Sequence, residues 1–431
     1  MVILLLGNGG REHALALKIA ESPFCTKLFV APGNAGTAMC GENVALDIND
    51  HGQLSEFVLR HGIDMVVAGP EEPLVRGLGD HFATSDNLGE VMFVGPPRAG
   101  AMLEGSKAFA KAFMERHQIP TAAYRSFTCD SLEEGIGFIM ESAAPYVLKA
   151  DGLAAGKGVV ICNSCEEAEE TLREMLCNEL FGEASRTVVI EEYLIGRELS
   201  VFAITDGSTF RLLPSAKDYK RVGEGDTGAN TGGMGAVSPV PFAGTELMER
   251  IRRRIVMPTI DGLKQEGIPY CGFLFFGLME VDGDPYVIEY NARLGDPEAQ
   301  VIIPRLKSDL VELMQACCSG RLHEHSVEVS PMHAVAVVLA SGGYPGEYEK
   351  GFPINQLSLV SDSRLFFAGV QQTGSQRLTS GGRVMAVTSL SATLENAIAS
   401  CYKNASVIDF KGKYYRRDIG KDLLEDPGKP A

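Results

Sequence analysis

No stretch of the 431 residues approaches the ~18 consecutive apolar residues that a membrane span requires. Basic excess is missing as well. Lys and Arg number 39 against 56 Asp and Glu, a formal net charge of −17, which argues against a nucleic-acid partner. The opening "MVILLLGNGGREH" lacks the basic start and long apolar core of a secretory leader, and five apolar residues before a Gly read better as a strand. Metal-binding spacing is scarce. Eight His form no H-E-x-x-H, and of ten Cys only Cys162 and Cys165 make a C-x-x-C, with no second pair to complete a zinc site. The run after them reads as a helix, with Ser164 as N-cap and Glu167 closing a capping box. Cys317 and Cys318 fall on an apolar helix, as core residues do. There is no low-complexity tract and no repeat of fixed period. These absences leave a soluble, multidomain, cytoplasmic protein with small-molecule partners, neither membrane nor nucleic acid.

Over residues 1 to about 100, apolar runs such as "VILLLG", "DMVVAGP" and "VMFVGP" alternate with helical segments. That pattern predicts a doubly wound parallel sheet covered on both faces, with ligands outside the carboxyl ends of its strands. The first turn, "GNGGREH", offers Gly7, Asn8, Gly9, Gly10 and Arg11. Its third fingerprint position is Glu12, and the second strand ends "FVAPGN" with no acid for a ribose. A dinucleotide site, and with it a nicotinamide-dependent oxidoreductase, is therefore poorly supported. A smaller phosphorylated ligand on the helix N-terminus fits better.

A Pro-rich join, "VGPPRAGA", leads into a helix and a second α/β stretch from about 122 to 195. Within it, "VLKADGLAAGKGVVI" joins two apolar runs through a Gly- and Ala-rich loop with Lys149 and Lys157 at its edges. The spacing of Gly152, Gly156, Lys157 and Gly158 is not that of a P-loop, and the run "GVVIC" after the loop reads as strand rather than helix. A hairpin flap over a phosphate is the reading that remains. Next comes "IEEYLIGRE", a strand end whose backbone can meet an adenine edge, with Glu198 placed to accept from ribose hydroxyls. A long helix (about 244–267) precedes "VIEYNARLGDPE". Strand alternation there puts Glu289, Asn291 and Arg293 on one face and Tyr290 and Ala292 on the other. A carboxylate beside an amide oxygen suits Mg²⁺ that also holds triphosphate and water, and Arg293 suits a carboxylate or phosphate. From about 328 the chain reads as a smaller α+β unit.

Flap, E-E-x-L hinge and E-x-N-x-R strand, in this order, resemble the ATP-grasp ligases. "GNGGREHAL", "VAPGNAGT", "LEGSKAF", "LKADGLAAGKGV", "NTGGMGA" and "RLGDPE" sharpen the resemblance to the phosphoribosylamine–glycine ligases over nearly the whole chain. The resemblance implies an N-terminal α/β domain (1–103), an ATP-grasp region (104–327) with 122–195 as a mobile lid, and a C-terminal α+β domain (328–431). It implies a free-standing enzyme, monomeric or weakly dimeric, that joins glycine to 5-phosphoribosylamine with ATP and Mg²⁺ or Mn²⁺. A related carboxylate–amine ligase with another acid or amine is the alternative, and a nucleotide-binding module without catalysis is disfavoured.

By the same resemblance, Lys107 and Lys149 hold phosphates under the 152–158 loop. Glu191 and Leu194 meet adenine through their backbone, and Glu198 meets the ribose. Glu289 and Asn291 bind the metal, with few other protein ligands expected. Arg293 takes the glycine carboxylate or its phosphorylated form, and the Gly7–Arg11 and Pro32–Gly33–Asn34 turns take phosphoribosylamine. Asp218, Lys220 and Arg221 face the transfer site. The chain departs from the family form in having Lys217 and Tyr219 where Gln and His are expected, and Ala292 in place of Cys.

Overall fold

The structure is a computed structural model that describes residues 1–154 and 158–425. Val2–Gly7 is the centre of a five-stranded parallel sheet. Lys27–Pro32 and Glu42–Asn43 lie on one side of it, Met65–Ala68 and Met92–Val94 on the other. Ile3, Leu4, Leu5 and Leu6 are all fully buried, because helices cover both faces. The strand order reverses beside Gly7, where such sheets open a crevice. Glu12 fills that crevice. Its carboxylate accepts from Gly9 N–H at 2.6 Å, and a Cβ on Gly69 would stand 2.3 Å from it.

Two antiparallel four-stranded sheets come next. The first joins Tyr124–Thr128, Thr187–Glu192, Tyr146–Ala150 and Val159–Cys162, and it keeps its own core of Phe127, Ile139, Leu148, Leu172 and Ile190. Its helix Cys165–Cys177 is capped by Ser164, which accepts from Glu167 N–H at 3.2 Å. The expected capping box is displaced by one residue, since the Glu167 carboxylate takes Asn163 N–H at 2.7 Å rather than that of Ser164. The second sheet joins Phe210–Leu212, Arg197–Thr205, Gly272–Val281 and Asp284–Asn291. The helix expected at 244–267 is interrupted by a π turn over Arg252–Val256. Pro258 has no N–H to return to the preceding turn and its ring crowds that carbonyl, so the turn widens.

The last five-stranded sheet runs Lys217–Asp218, Gly235–Ser238, His333–Ala340, Arg383–Ser391 and Ser363–Phe367. Two of its strands come from the stretch read as ATP-grasp, so this sheet is not built by C-terminal residues alone. One apolar core runs through Leu5, Phe275, Ala336 and Phe366, joining three of the sheets. His13 helps to bind the first helix to the last sheet. It is 4% exposed, and its Nδ1 accepts from Phe367 N–H at 2.8 Å. Burial pushes its imidazole down to about 4, so the ring is neutral. Among the described residues no helix is long and apolar enough to cross a membrane.

Candidate active site

The first and the second of these antiparallel sheets face one cavity of about 450 Å³. Asp151, at the start of the flap, is tied down first. It accepts from Ser106 Oγ at 2.9 Å and from Ala108 N–H at 2.7 Å, at the N-terminus of the helix Lys107–Arg116, which Ser106 itself caps. Lys107 Nζ then donates to Gly152 O at 3.2 Å. Gly158, at the far side of the flap, borders the cavity, whereas Gly152 does not line it. Gly156 and Lys157 lie outside the described residues.

Lys149 reaches across to the opposite sheet. Its Nζ lies 2.9 Å from Glu191 Oε1 and donates to Ile288 O at 3.2 Å. Glu191 is shared with Lys111, whose Nζ is 3.0 Å from Oε2. Lys111 is 2% exposed, and burial, only partly offset by Glu191, pulls its ammonium down to about 8. Burial likewise lowers Lys107, against the attraction of Glu289. Sequence reasoning did not single out Lys111, although its spacing of four from Lys107 on a helix places both on one face.

Opposite the flap, Glu289 and Asn291 border the cavity with Arg293 just beyond the strand; Tyr290 also borders it but is 2% exposed, its hydroxyl 2.9 Å from Thr259 Oγ1 in the core, and Ala292, likewise 2% exposed, lies off the cavity. The ribbon carries a bulge that alternation alone does not reveal. Gly277 pairs with Glu289 and Leu278 with Val287, so Ile288 is the extra residue. Burial would raise the Glu289 carboxyl, but Lys220, Lys149, Lys107 and Arg293 together hold it below its ordinary value. It is therefore an ionised oxygen donor beside the Asn291 amide, a pair that fits a hard divalent cation completing its shell with phosphate and water. Among the described residues no group of three or more His, Cys, Asp or Glu could hold a metal by itself.

Arg293 is more constrained than its sequence suggests. Nη2 lies 2.7 Å from Glu104 and Nε 3.1 Å from Glu71, while Nη1 donates to Leu294 O at 3.2 Å. Nη2 also donates to Asn291 Oδ1 at 3.3 Å, so the guanidinium orients the amide. Burial pushes the Glu104 carboxyl up to about 7, against the pull of Arg293. Glu71 goes the other way, to about 2, because Arg293 and Arg11 outweigh its burial. Glu104 could have been noticed, since it precedes the Lys107 segment in "LEGSKAF"; Glu71 gave no signal.

Lys220 bridges Glu198 and Glu289, the latter at 3.5 Å. Glu198 thus adjoins the cavity through Lys220 without lining it. Asp218 borders the cavity with its Oδ1 buried and without a hydrogen-bond partner, and burial together with Glu298 raises its carboxyl well above the ordinary range. Arg221 is directed elsewhere, donating to Gly228 O at 2.9 Å, and Leu194 also lies off the cavity.

Of the first-domain candidates only Arg11 lines the cavity. Gly7, Asn8, Gly9 and Gly10 form the adjoining turn, and Pro32, Gly33 and Asn34 pack beside it, with Gly33 N–H on Gly7 O at 3.1 Å. The Asn34 amide donates to Asn8 O, Gly9 O and Phe367 O, so it staples the two turns together. The helix N-terminus already receives two of the chain's own carboxylates: Glu12 on Gly9 N–H and Asp296 on Arg11 N–H, at 3.3 Å. Asp296 lies 285 residues from Arg11, which is why sequence spacing left that position open for a ligand.

Two antiparallel sheets closing on one cavity, Lys149 on one with Lys107 on the adjoining helix and an acid–amide–guanidinium row at the end of the other, make this an ATP-grasp fold. Solved structures agree at the level of fold. A biotin carboxylase from Campylobacter jejuni superposes with a TM-score of 0.71 at 16% identity, covering 99% of this chain and 95% of that one. The three phosphoribosylglycinamide synthetase family models match in order: the N domain over residues 1–104, the ATP-grasp (A) domain over 105–299 and the C domain over 334–422. The chain belongs to that family. Phosphoribosylamine–glycine ligase of Pasteurella multocida is 47% identical over 424 residues, 97% of each chain, and that of Salmonella typhimurium 46% over 431 residues, 99% of each. The crystal structure of phosphoribosylamine–glycine ligase from Thermotoga maritima gives a TM-score of 0.84 at 37% identity, covering 97% of this chain and all of that one.

Proposed function

We infer that the protein is a phosphoribosylamine–glycine ligase, an enzyme that joins glycine to 5-phosphoribosylamine at the expense of ATP, giving glycinamide ribonucleotide, ADP and phosphate. The observation that carries the reading is the shared cavity: Lys107 and Lys149 on the flap side face Glu289, Asn291 and Arg293 across about 450 Å³. Phosphoryl transfer needs placement and charge neutralisation more than covalent help, and this cavity concentrates both.

ATP lies with its phosphates between Lys107 and Lys149, beside Leu153, Ala154 and Gly158, its adenine along the Glu191–Leu194 backbone and its ribose on Glu198. A divalent cation, Mg²⁺ or Mn²⁺, would be held by Glu289 and Asn291 and would supply charge neutralisation to the triphosphate. To meet the nucleotide, Glu198 exchanges Lys220 for ribose hydroxyls. One glycine carboxylate oxygen attacks the γ-phosphorus, and ADP leaves. The amine of phosphoribosylamine then attacks the glycyl phosphate carbonyl, loses a proton and expels phosphate. Arg293 fixes the acceptor end of the site, with Glu71 and Glu104 preventing its drift. Asp218 and Lys220 stand at the transfer site, and Arg221 supports their segment. Phosphoribosylamine lies along the Gly7–Arg11 and Pro32–Asn34 turns, with Arg11 at the cavity edge.

The lid is the 122–195 unit, whose separate core lets it move as a body. Closure keeps water from the acyl phosphate. The partition into 1–103, 104–327 and 328–431 belongs to the same reading, as does a monomer or weak dimer in the cytoplasm. Phosphate release from ATP tests the function by omission. Release should require glycine and phosphoribosylamine together. Release with a different acid or amine, and none with this pair, would assign the protein to a related carboxylate–amine ligation instead.

A further inference from the structure

The segment that carries Asp218 and Lys220 has a second face, and both of its side chains end on one residue. Lys217 Nζ lies 2.5 Å from Asp422 Oδ2, and the Tyr219 hydroxyl donates to Asp422 Oδ1 at 2.5 Å. Lys217 is 4% exposed and Tyr219 2%. The charge that the sequence places near the transfer site is thus turned away from it and neutralised. Gly420 N–H also donates to the Tyr219 hydroxyl, at 3.1 Å. Burial, followed by Asp422, raises the phenol well above its ordinary value, so it remains a donor.

The grip extends beyond this point. Tyr414 donates to Val222 O at 2.7 Å, Arg416 donates to Arg221 O at 3.1 Å, and Gly225 N–H donates to Asp418 Oδ2 at 2.8 Å. Arg416 is 1% exposed and also pairs with Asp226 at 2.5 Å. Residues 414–422 therefore hold residues 217–226 along their length.

We propose that Asp422 is a positioning residue for the ligation: by seating Lys217 and Tyr219 on one carboxylate, it fixes the backbone from which Asp218 and Lys220 reach the cavity. Neighbours on an extended chain point in opposite directions, so a displacement of the outward pair is carried directly to the inward pair. A misplacement of about 1 Å at a reacting centre costs up to about a hundredfold in rate.

The activity readout of this inference rests on the ligase reading; its structural readout does not. Asp422→Ala should lower kcat by about tenfold or more while the KM for ATP stays within about twofold. In a Lys217→Met/Tyr219→Phe background the same substitution should cost less than about a further twofold, because the seat is already gone. Asp422→Glu should recover part of the rate. Backbone amides of 217–223 should exchange faster in Asp422→Ala, and those of the lid strands should not. Equal losses in the two backgrounds, a loss confined to the KM for ATP, or unchanged exchange over 217–223 would each overturn the proposal. A wild-type protein inactive with glycine and phosphoribosylamine would remove the function, and the exchange measurement would still decide the positioning role.

Discussion

Replacing Glu104 with glutamine should remove a large part of the protein's loss of stability between about pH 5 and pH 8. The Glu104 side chain is 6% exposed, and its carboxyl lies between Arg293 Nη2 at 2.7 Å and Ala292 N–H at 2.7 Å. Burial still dominates and raises it from 4.5 to about 7. The sign comes from proton counting. Between these values the folded chain keeps a proton that the unfolded chain has released, so stability falls as pH rises through the interval. Displacement over that interval corresponds to about 3 kcal/mol, at 1.36 kcal/mol for each pH unit. A glutamine at this position does not ionise, and its amide can still accept from Ala292 N–H. Urea unfolding of both proteins at the two pH values gives the difference directly, since other titrating groups act alike in each. The wild type should lose about 2.5 kcal/mol more than Glu104→Gln on going from about pH 5 to about pH 8, since part of the displacement has already accrued at pH 5. Equal losses, within about 0.5 kcal/mol, would show that the carboxyl is not desolvated as the geometry requires.

Three further substitutions probe the metal pair, a helix cap and the turn at Gly196. Glu289→Ala should lower kcat by about a hundredfold or more with folding intact, whereas Ser164→Ala, which removes only a helix cap, should cost about 1 kcal/mol of stability and leave turnover near normal. Steady-state rates beside thermal unfolding separate the two, and near-normal turnover of Glu289→Ala would remove the metal assignment. Gly196→Ala should destabilise the connection between Glu192 and Arg197 by about 2 kcal/mol or more, because its Cβ would stand 2.1 Å from the Glu280 backbone oxygen and one strand must yield. Nucleotide affinity should fall with it, and binding titration together with urea unfolding will show whether both losses occur.

The apolar strands and the flap were readable because their signals are local. Val2–Gly7 is a continuous apolar run, and the lysine-edged loop joins two strands that pair directly, Tyr146–Ala150 with Val159–Cys162. The Glu289–Asn291–Arg293 row was readable because strand alternation survives at that end of the ribbon. Its bulge at Ile288 was not, since a bulge depends on the partner strand. The partners of Arg293 escaped for the same kind of reason: Glu71 lies 222 positions away, and only folding brings it to 3.1 Å. The first helix gave a partial answer. Its N-terminus was recognised as an anion site, and the anions found there are Glu12 and Asp296. Lys217 was the least legible residue, because a strand of two residues fixes its direction and only the distant Asp422 explains its charge.

A glycine carboxylate oxygen should attack ATP within the cavity and leave with phosphate when the amine arrives. Glycine labelled with ¹⁸O in both carboxylate oxygens tests it in a single turnover mixture with ATP and phosphoribosylamine. The released phosphate should carry one labelled oxygen and the glycinamide product should retain the other. Unlabelled phosphate accompanying full product formation would contradict the account.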